Sequence, residues 1–289
     1  MKTLTTLIPL FLSASLLCMQ EWKELKQVDD CSAVQNLILQ SDEVKEFGSK
    51  LDQFVNLKRI TFCFHSDQKL PRGLEKLTSL TGLDVKRRIL KRENKDNPLA
   101  MCMRLPLDIG QFTTLQLLDL SDIQLQTLPI TMCKLKNLKE LLLKGNQIEH
   151  WPSCLGRLSS LENLELDHNK LKELPPVELA RLTNLEFLSL VGNELEVIPQ
   201  SVSSLQKLNE LHLDKNKLKQ LTCGVIALTN LQVLSLENNN LSVLPSLKNL
   251  HSSLECLFLY GNPVCDNDVQ TTLLNTALPD TTIYFCSIE

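Results

Sequence analysis

Leucine recurs along this chain at a nearly fixed interval, and each occurrence opens a run in which apolar and polar residues alternate. The recurring position is filled by Val34, Leu57, Leu80, Leu115, Leu138, Leu161, Leu185, Leu208, Leu231 and Leu254. The spacing is 23 residues, except for 35 between Leu80 and Leu115 and 24 between Leu161 and Leu185. Such a period indicates a repeat protein, whose units bury their apolar sides against one another.

Each unit joins two kinds of periodicity. In the unit 185–207, Leu188 and Leu190 alternate with other residues, and this period of two predicts a short strand with one buried face. Later in a unit, residues such as Leu128, Met132 and Leu135 fall on one face of a helical turn. Stacked units of this kind predict an α/β repeat solenoid, with a parallel sheet on one side and short helical or 3-10 segments on the other.

An asparagine occupies the ninth place of six successive units. These residues are Asn146, Asn169, Asn193, Asn216, Asn239 and Asn262. A side-chain amide both donates and accepts hydrogen bonds, so a stack of buried asparagines can satisfy the backbone groups where the chain leaves each strand. Ile123 takes this place in the fourth unit, which puts the stack in doubt there.

Three segments, LKELLLKGNQIEHWP, LENLELDHNKLKELP and LQVLSLENNNLSVLP, resemble the leucine-rich-repeat family, in its 23-residue class with the pattern LxxLxLxxNxLxxLPxxhxxLxx, where h is apolar. The resemblance covers residues 34 to about 265. It implies a horseshoe with the parallel sheet on its concave face and the short helical segments on its convex face. The class is similar to secreted bacterial repeat proteins and intracellular scaffolds, which bind proteins, usually through the concave sheet. The motif fixes the fold and names no ligand.

The first residues have the pattern of a secretory signal peptide. Lys2 precedes the apolar stretch 4–17, which is too short for a membrane span. Cleavage is predicted before Leu16 or after Cys18, with lipid attachment at Cys18 as a third option. The alternative is an N-terminal helix that caps the solenoid of a cytoplasmic protein. The ten cysteines include no CxxC pair, and their number agrees with export without requiring it.

The predicted organisation follows from the repeat and its ends. A signal peptide spans 1–18, an N-terminal cap 19–33, nine repeats 34–253, and the last repeat with a C-terminal cap 254–289. A closing helix is predicted from Asn267 to Leu278. Cys265 and Cys286 both lie in this cap, where they form either a disulfide bridge or two separate buried thiols.

Composition narrows the classes of partner. The formal net charge of -4 and a pI near 5.8 give no general reason to expect nucleic acid or an anionic membrane. Aromatic residues make up 4% of the chain, so the core must be aliphatic.

The outward strand positions of the fourth to ninth units predict an acidic concave face. Its carboxylates are Asp119, Glu140, Glu165, Asp167, Glu210, Asp214 and Glu237, with Lys144, Lys215, His168 and His212 interspersed. Such a face suits a partner with a basic patch, since complementary charge speeds encounter and selects partners. The alternative is a solvated sheet face whose charges keep the protein soluble.

Three aromatic residues are expected on the same face. Phe258 and Tyr260 point outward beside Val233, and Phe187 is a further exposed ring. Aromatic side chains within a rim of charge are candidates for binding hot spots. The alternative is that the C-terminal cap folds over Phe258 and Tyr260.

The third unit carries a basic insertion, KRRILKRENKDN, at about 86–97. The residues expected to bind are Lys86, Arg87, Arg88, Lys91 and Arg92. Loops on rigid scaffolds often carry recognition, so this one is predicted to clasp a ligand, to touch anionic lipid or to fold back onto the acidic face. The alternative is an unstructured, solvated loop.

The sequence does not predict an enzyme. It contains no phosphate loop, nucleophile elbow or HExxH motif, and His168 and His212 lie two units apart, about 10 Å by strand spacing. No cofactor or metal site is predicted. We expect non-catalytic protein–protein recognition by an exported protein, with a protein partner, no nucleic acid, no small-molecule substrate, and a membrane only if Cys18 carries a lipid. The alternative is an intracellular signalling scaffold.

Overall fold

Eleven parallel strands form one continuous sheet in the computed structural model, which describes residues 34–40, 43, 47–48, 51–64, 73–87, 105 and 107–286. The strands lie side by side in chain order: β1 Asn36–Gln40, β2 Arg59–Phe64, β3 Gly82–Arg87, β4 Leu117–Asp119, β5 Glu140–Leu142, β6 Asn163–Glu165, β7 Phe187–Ser189, β8 Glu210–His212, β9 Val233–Ser235, β10 Cys256–Phe258 and β11 Thr282–Tyr284. This order confirms the predicted repeat solenoid. The N-terminal segment, which holds the predicted signal peptide and cap, lies outside the described residues.

The register of the sheet places equivalent residues of successive units directly beside one another. Leu118 pairs with Leu141, Leu141 with Leu164, and the same step continues through Leu188, Leu211, Leu234 and Leu257. All of these leucines are buried. Each fully buried leucine contributes about 1.5–3 kcal/mol, and the neighbouring unit provides the second wall that completes its burial.

Short helical segments line the opposite side of the solenoid. Most are 3-10 helices: Leu51–Gln53, Leu74–Lys76, Leu107–Gln111, Ile130–Lys134, Leu155–Arg157, Gln200–Ser204, Lys248–Leu250 and Pro263–Asp266. Two are single α-helical turns, α1 Pro176–Leu179 and α2 Cys223–Ile226. Leu128, Met132 and Leu135 are all buried, as their predicted common face requires. None of the helices in the described part of the chain is long and apolar enough to cross a membrane.

The six asparagines form the predicted stack and bond to the backbone of two units each. The amide nitrogen of Asn193 donates to the carbonyl oxygens of Leu166 and Leu190, at 2.9 and 3.0 Å. Its amide oxygen accepts from the backbone N–H of Leu171, at 3.0 Å. The same pattern holds from Asn146 to Asn262, so each asparagine ties its own turn to the preceding unit.

The residue before each of these asparagines, and before Ile123, has a left-handed backbone. Glycine supplies this conformation at Gly145, Gly192 and Gly261, whereas Asp122, His168, Lys215 and Asn238 adopt it with positive φ angles between 52° and 59°. The glycines have a second reason to lack a side chain. A Cβ on Gly192 would lie 2.5 Å from Nδ1 of His168, which covers it from the preceding turn.

A second set of side-chain bonds joins the units where the chain enters each strand. Asn137, Asn184 and Asn230 precede the first leucine of their units, and each donates to a carbonyl oxygen of the preceding unit, at 2.7 to 2.8 Å. Thr114 makes the equivalent bond to Leu80, at 2.6 Å. The solenoid is therefore fastened at both ends of its strands.

The C-terminal cap contains the predicted helix and an additional strand. The helix, α3, spans Asp268–Ala277, and the side chain of Asn267 caps its first turn by accepting from Val269 N and Gln270 N. β11 follows it and pairs with β10. Cys265 and Cys286 are both free thiols, of which the first is partly buried and the second exposed, so the structure contains no bridge between them.

Candidate functional site

The face of the sheet turned away from the core is the concave side of the solenoid, and we call it the open face. Its middle row consists of the residue between the two core-facing positions of each strand: Ile38, Thr61, Asp84, Asp119, Leu142, Glu165, Ser189, His212, Ser235, Phe258 and Tyr284. A row on either side of it adds the residues two places before and after. Because identical positions stack along parallel strands, each row places its side chains about 4.8 Å apart.

At the N-terminal end of the open face, charges are paired within the protein. Arg59 binds the buried carboxylate of Asp84 through two nitrogens, Nε to Oδ2 at 2.8 Å and Nη2 to Oδ1 at 3.0 Å. Thr61 Oγ1 donates to the same carboxylate at 2.8 Å. The hydrogen bond with Asp84 raises the pKa of Arg59 above its usual value. A two-point arginine bond of this kind is strong and directional, so Asp84 has little capacity left for a partner.

Asp119 is paired in the same way, and its use as a docking charge stays a prediction. It is only 7% exposed, Lys86 donates to its Oδ2, and Ser121 N donates to its Oδ1 at 3.0 Å. Burial alone would raise the pKa of Asp119, but the bonds from Lys86 and Ser121 outweigh it and hold the pKa below its usual value. Lys86 opens the basic insertion, so the first charge of that segment is bonded to the sheet, while 44% of the side chain stays exposed.

Asp167 and Asp214 hold neighbouring units together. One carboxylate oxygen of Asp167 accepts from Ser189 Oγ and from Val191 N, at 2.9 Å for the latter. Asp214 makes the same pair of bonds two units later, to Ser235 Oγ and to the backbone N–H at 237, at 2.6 Å for the latter. Asp167 is 9% exposed. These two aspartates therefore link neighbouring units, and their use as docking charges stays a prediction.

Four glutamates remain as the accessible carboxylates of the open face: Glu140, Glu165, Glu210 and Glu237. Lys144 lies 3.7 Å from Glu165, and Glu140 and Glu237 have no ion pair among the described residues. Burial, together with the nearby charge of Asp167, raises the pKa of Glu165, and burial with the charge of Asp214 raises the pKa of Glu237. The accessible glutamates therefore outnumber the basic groups that are paired with them on this part of the face.

Phe187, Glu210 and His212 form a cluster in the middle of the open face. The rings of Phe187 and His212 have their centroids 5.3 Å apart and are tilted by 39°. His212 Nε2 lies 3.2 Å from Glu210 Oε2, with a quarter of the histidine side chain and 44% of the glutamate side chain exposed. The phenylalanine is thus half-buried by its neighbours and still presents an apolar edge beside an acidic group.

The C-terminal end of the open face is aromatic. Phe258 stacks on Tyr284 of β11, with ring centroids 4.5 Å apart and planes within 4° of parallel. Tyr260 follows β10 and is 39% exposed, and Val233 lies on the strand before. The last strand lies beside Phe258 and leaves both rings partly accessible, so the alternative in which the cap folds over Phe258 and Tyr260 does not describe this end.

The basic insertion is described only at its start. Lys86 and Arg87 end β3, and Arg88, Lys91 and Arg92 lie outside the described residues.

His168 and His212 are separated as predicted, since one lies in a turn and the other two strands away on the sheet. In the part of the chain that the structure describes, no group of three histidine, cysteine or carboxylate side chains is arranged to hold a metal ion.

Two parts of this surface were missed by the sequence reasoning. Tyr284 was not expected on the open face, although the alternation of Ile283 and Phe285 around it was a signal for a strand without leucine. The pair of Arg59 and Asp84 was also missed. Both residues occupy outward positions of units two and three, which the same alternation identifies.

Comparison with known proteins agrees with the geometry. One family model, described as leucine rich repeat, matches residues 152–195, and a second model of the same description matches residues 230–250. With the single parallel sheet of stacked units, these matches support the resemblance of the chain to the leucine-rich-repeat family. Among curated protein sequences, none matches the chain.

Solved structures with a similar fold come from bacteria and plants. A leucine-rich-repeat protein of Leptospira interrogans is 25% identical, with 86% of this chain and 75% of that chain covered and a TM-score of 0.47. The plant peptide hormone receptor RGFR1, in complex with RGF2, is 25% identical, with 72% and 36% covered and a TM-score of 0.56. The ectodomain of the Arabidopsis thaliana receptor kinase GASSHO1/SCHENGEN3, in complex with CASPARIAN STRIP INTEGRITY FACTOR 2, is 24% identical, with 87% and 34% covered and a TM-score of 0.55. The chain thus spans about a third of each plant receptor chain.

Proposed function

We propose that this chain is a non-catalytic recognition protein that binds a protein partner on the open face of its sheet. The proposal rests on a difference between the aspartates and the glutamates of that face. The aspartates are occupied by internal bonds, whereas Glu140, Glu165, Glu210 and Glu237 stay accessible beside partly exposed aromatic rings. A rigid surface that keeps charge and aromatic area available is suited to binding.

The likeness to RGFR1 supports a protein or peptide partner, because that receptor is a peptide hormone receptor in complex with RGF2. The same proposal includes the basic insertion, with Arg88, Lys91 and Arg92, as a second contact region. It also includes export of the chain, motivated by the signal-like stretch 4–17. An intracellular signalling scaffold that uses the same face is the second candidate, motivated by the resemblance to that group of repeat proteins.

The partner can be found by position-specific cross-linking. A photo-reactive amino acid at Tyr260, on the open face, and another at Val177, on the convex side, would be introduced into chain made in its native host. We expect a protein adduct at Tyr260 that is absent at Val177. Adducts of equal yield at both positions, or at Val177 alone, would reject the open face as the binding surface.

Charge reversal then tests the face with purified partner. The variant carries lysine at Glu140, Glu165, Glu210 and Glu237, and its control carries lysine at Glu149, Glu173, Glu194 and Glu196, which lie in the turns beyond the asparagine stack. Truncating hot-spot contacts costs about 2 kcal/mol or more, so we expect at least a roughly 30-fold weaker affinity for the first variant alone. Equal affinity of the two variants would contradict the proposal.

Export is tested by the mass of the mature N-terminus from the native host. A chain that begins at Leu16 or at Met19, or at Cys18 with an added lipid mass on that residue, supports export. A chain that retains residues 1–18 supports the intracellular scaffold and moves the search for the partner to the cytosol.

A further inference from the structure

The open face is asymmetric along the solenoid, and the asymmetry narrows the class of partner. At the N-terminal end, Arg59 neutralises Asp84 and Lys86 neutralises Asp119. From β5 onward the only lysine of the three rows is Lys144, which serves Glu165. Beyond β7 no basic side chain except His212 faces Glu210 and Glu237 among the described residues of these rows. Lys215, in the turn after β8, lies near enough to lower the pKa of Glu237 against the effect of burial, so the negative charge at β8 and β9 is only partly balanced by basic groups of the protein.

The apolar surface of the open face is concentrated in the same direction. Phe258 and Tyr284 stack to form a continuous aromatic platform, and Tyr260 and Val233 extend it on either side. Tyr260 belongs to the few large apolar side chains that are exposed. Tyr284 belongs to the C-terminal cap, whose strand β11 extends the sheet, and Phe258 and Tyr284 stay half-buried while Tyr260 is exposed.

We propose that the strip from β8 to β11 is the docking site for an extended segment of a partner protein that carries a lysine or arginine and, a few residues away, a large apolar side chain. This inference rests on the proposed function and specifies its partner. The basic side chain would meet Glu210 and Glu237, and the apolar one would lie on the platform of Phe258, Tyr260 and Tyr284.

Strand spacing sets the separation of the two partner residues. The two glutamates belong to β8 and β9 and the platform to β10 and β11, so the centres of the two parts lie two strand intervals apart, roughly 10 Å at about 4.8 Å each. An extended chain rises about 3.3 Å per residue, so the basic and apolar residues of the partner should be about three residues apart. A partner segment that carries only the basic residue or only the apolar residue would contact only the glutamates or only the platform.

The charge of the strip argues against other classes of ligand. A nucleic acid or an anionic membrane would bring phosphates toward Glu210, Glu237 and Asp214, and like charges repel at this separation. A positively charged protein segment instead supplies the missing counterion and gains from the acidic field during encounter. The aromatic platform then fixes its register, because rings present a large apolar area with little side-chain entropy to lose.

Peptide selection can test the strip before the partner is identified. A random-peptide library displayed on phage would be panned against the purified full chain. We expect the enriched peptides to carry lysine or arginine and a large apolar residue about three positions apart. Their synthetic forms would then be measured by fluorescence polarisation against defined variants, each checked for native folding by its melting temperature.

Two variants address the two halves of the strip independently. Glu210→Lys combined with Glu237→Lys should weaken the peptides about ten-fold or more, and so should Tyr260→Ser, which removes an exposed ring whose loss leaves the core intact. The matched controls are Glu194→Lys combined with Glu196→Lys, and Val177→Ser, which should bind like the parent chain. Raising the salt concentration should weaken binding of the parent chain and leave the residual binding of the charge variant nearly unchanged.

The outcomes separate this inference from the proposed function. Peptides that lose affinity only when Glu140 and Glu165 are reversed would overturn the strip and leave recognition by the open face standing. Peptides indifferent to every open-face variant would overturn both. A chain that forms dimers which dissociate on Tyr260→Ser would assign the strip to a second copy, and that result also overturns the inference.

Discussion

The carboxylate of Asp214 accepts a hydrogen bond from the hydroxyl group of Ser235 on the next strand, and the same oxygen accepts the backbone N–H two residues further on. Asp167 and Ser189 show this relationship two units earlier. In each case the serine is buried, so its hydroxyl depends on the aspartate for a partner. The acidic appearance of the open face therefore includes bonds that hold the solenoid together.

Removing the acceptor, Asp214, should lower the free energy of unfolding more than removing the donor, Ser235. Asp214→Ala leaves both Ser235 Oγ and a backbone N–H without their acceptor, so we expect the free energy of unfolding to fall by about 1–3 kcal/mol. Ser235→Ala removes one bond and leaves the second in place, with an expected loss of about 0.5–1.5 kcal/mol. Urea denaturation followed by circular dichroism measures both.

The control for this pair is Asp280→Ala, since Asp280 is exposed in the turn before β11. It should leave the unfolding midpoint unchanged. If Asp214→Ala behaved like this control, the carboxylate would be a surface charge, and its use as a docking residue would have to be reconsidered.

The left-handed turns give a second prediction. Substitutions at two equivalent turn positions should change the free energy of unfolding in opposite directions. Lys215 has a φ of 54° and Gly192 a φ of 67°. A left-handed side chain costs about 1 kcal/mol, so Lys215→Gly should raise the free energy of unfolding by up to about that amount. Gly192→Ala should lower it by more, because the new Cβ would also lie 2.5 Å from Nδ1 of His168.

Chemical denaturation of the two variants checks the signs directly. Combining Gly192→Ala with His168→Ala should restore part of the loss, because alanine removes the ring that meets the new Cβ and keeps a side chain at the left-handed position. A stability loss that the second substitution does not reduce would point to the backbone strain alone.

The pH dependence of stability should reflect Glu165 and Glu237. Their pKa values are raised in the folded chain, chiefly by burial and next by the charges of Asp167 and Asp214. A raised pKa means that the folded state binds protons more readily than the unfolded state, so these groups favour folding increasingly as pH falls through the raised pKa. Their ionised forms oppose folding at neutral pH.

Replacing both residues by glutamine should therefore raise the melting temperature at pH 7. The advantage should shrink as pH falls toward about 4.3, the ordinary glutamate value. Glu194→Gln is the control of opposite sign, because a hydrogen bond from Lys217 lowers the pKa of Glu194. That interaction is present at neutral pH and is lost in acid, so the control should not gain stability at pH 7. A melting difference for the double variant that does not change with pH would contradict the assignment.

Thiol reactivity should follow burial among the described cysteines. Cys223 and Cys286 are exposed, whereas burial raises the pKa of Cys154 to about 11. Iodoacetamide should alkylate the first two in the native chain and Cys154 only after unfolding, because the thiolate is the reactive form. Mass spectrometry of the digested protein measures all three. Detection of a disulfide-linked peptide containing Cys265 and Cys286 would replace the free thiols of the structure with the bridge that the sequence allowed.

The sequence predicted the solenoid well because each of its rules is local. The alternation with a period of two predicts the burial of Leu188 and Leu190. The repeated asparagine provides hydrogen bonds to the backbone of each turn, and Asn267 marks the start of the closing helix. The last strand was missed because isoleucine and phenylalanine replace the leucines on which the search for repeats depended.

The open face was predicted less completely, for a physical reason. Its outward residues follow from the alternation, but whether a carboxylate is free depends on the residue beside it in the next unit. Asp119 meets Lys86 across one strand interval, while Glu140 has no comparable partner among the described residues. Such pairings join residues about 20 or more positions apart, and neither composition nor period reveals which of them form.

Ile123 has a consequence that reaches beyond its own turn. It is buried where every later turn has an asparagine, so in the described turns the asparagine stack begins only at Asn146, which links Leu120 to Leu143. In a stacked array, each repeat is stabilised by its contacts with the neighbouring repeats. Local unfolding therefore tends to begin or end at an interface that has fewer hydrogen bonds. Hydrogen exchange should therefore divide the chain at the fourth unit. The strip from β8 to β11 belongs to the later block, which can keep its shape, and hold a partner, while the first repeats open and close.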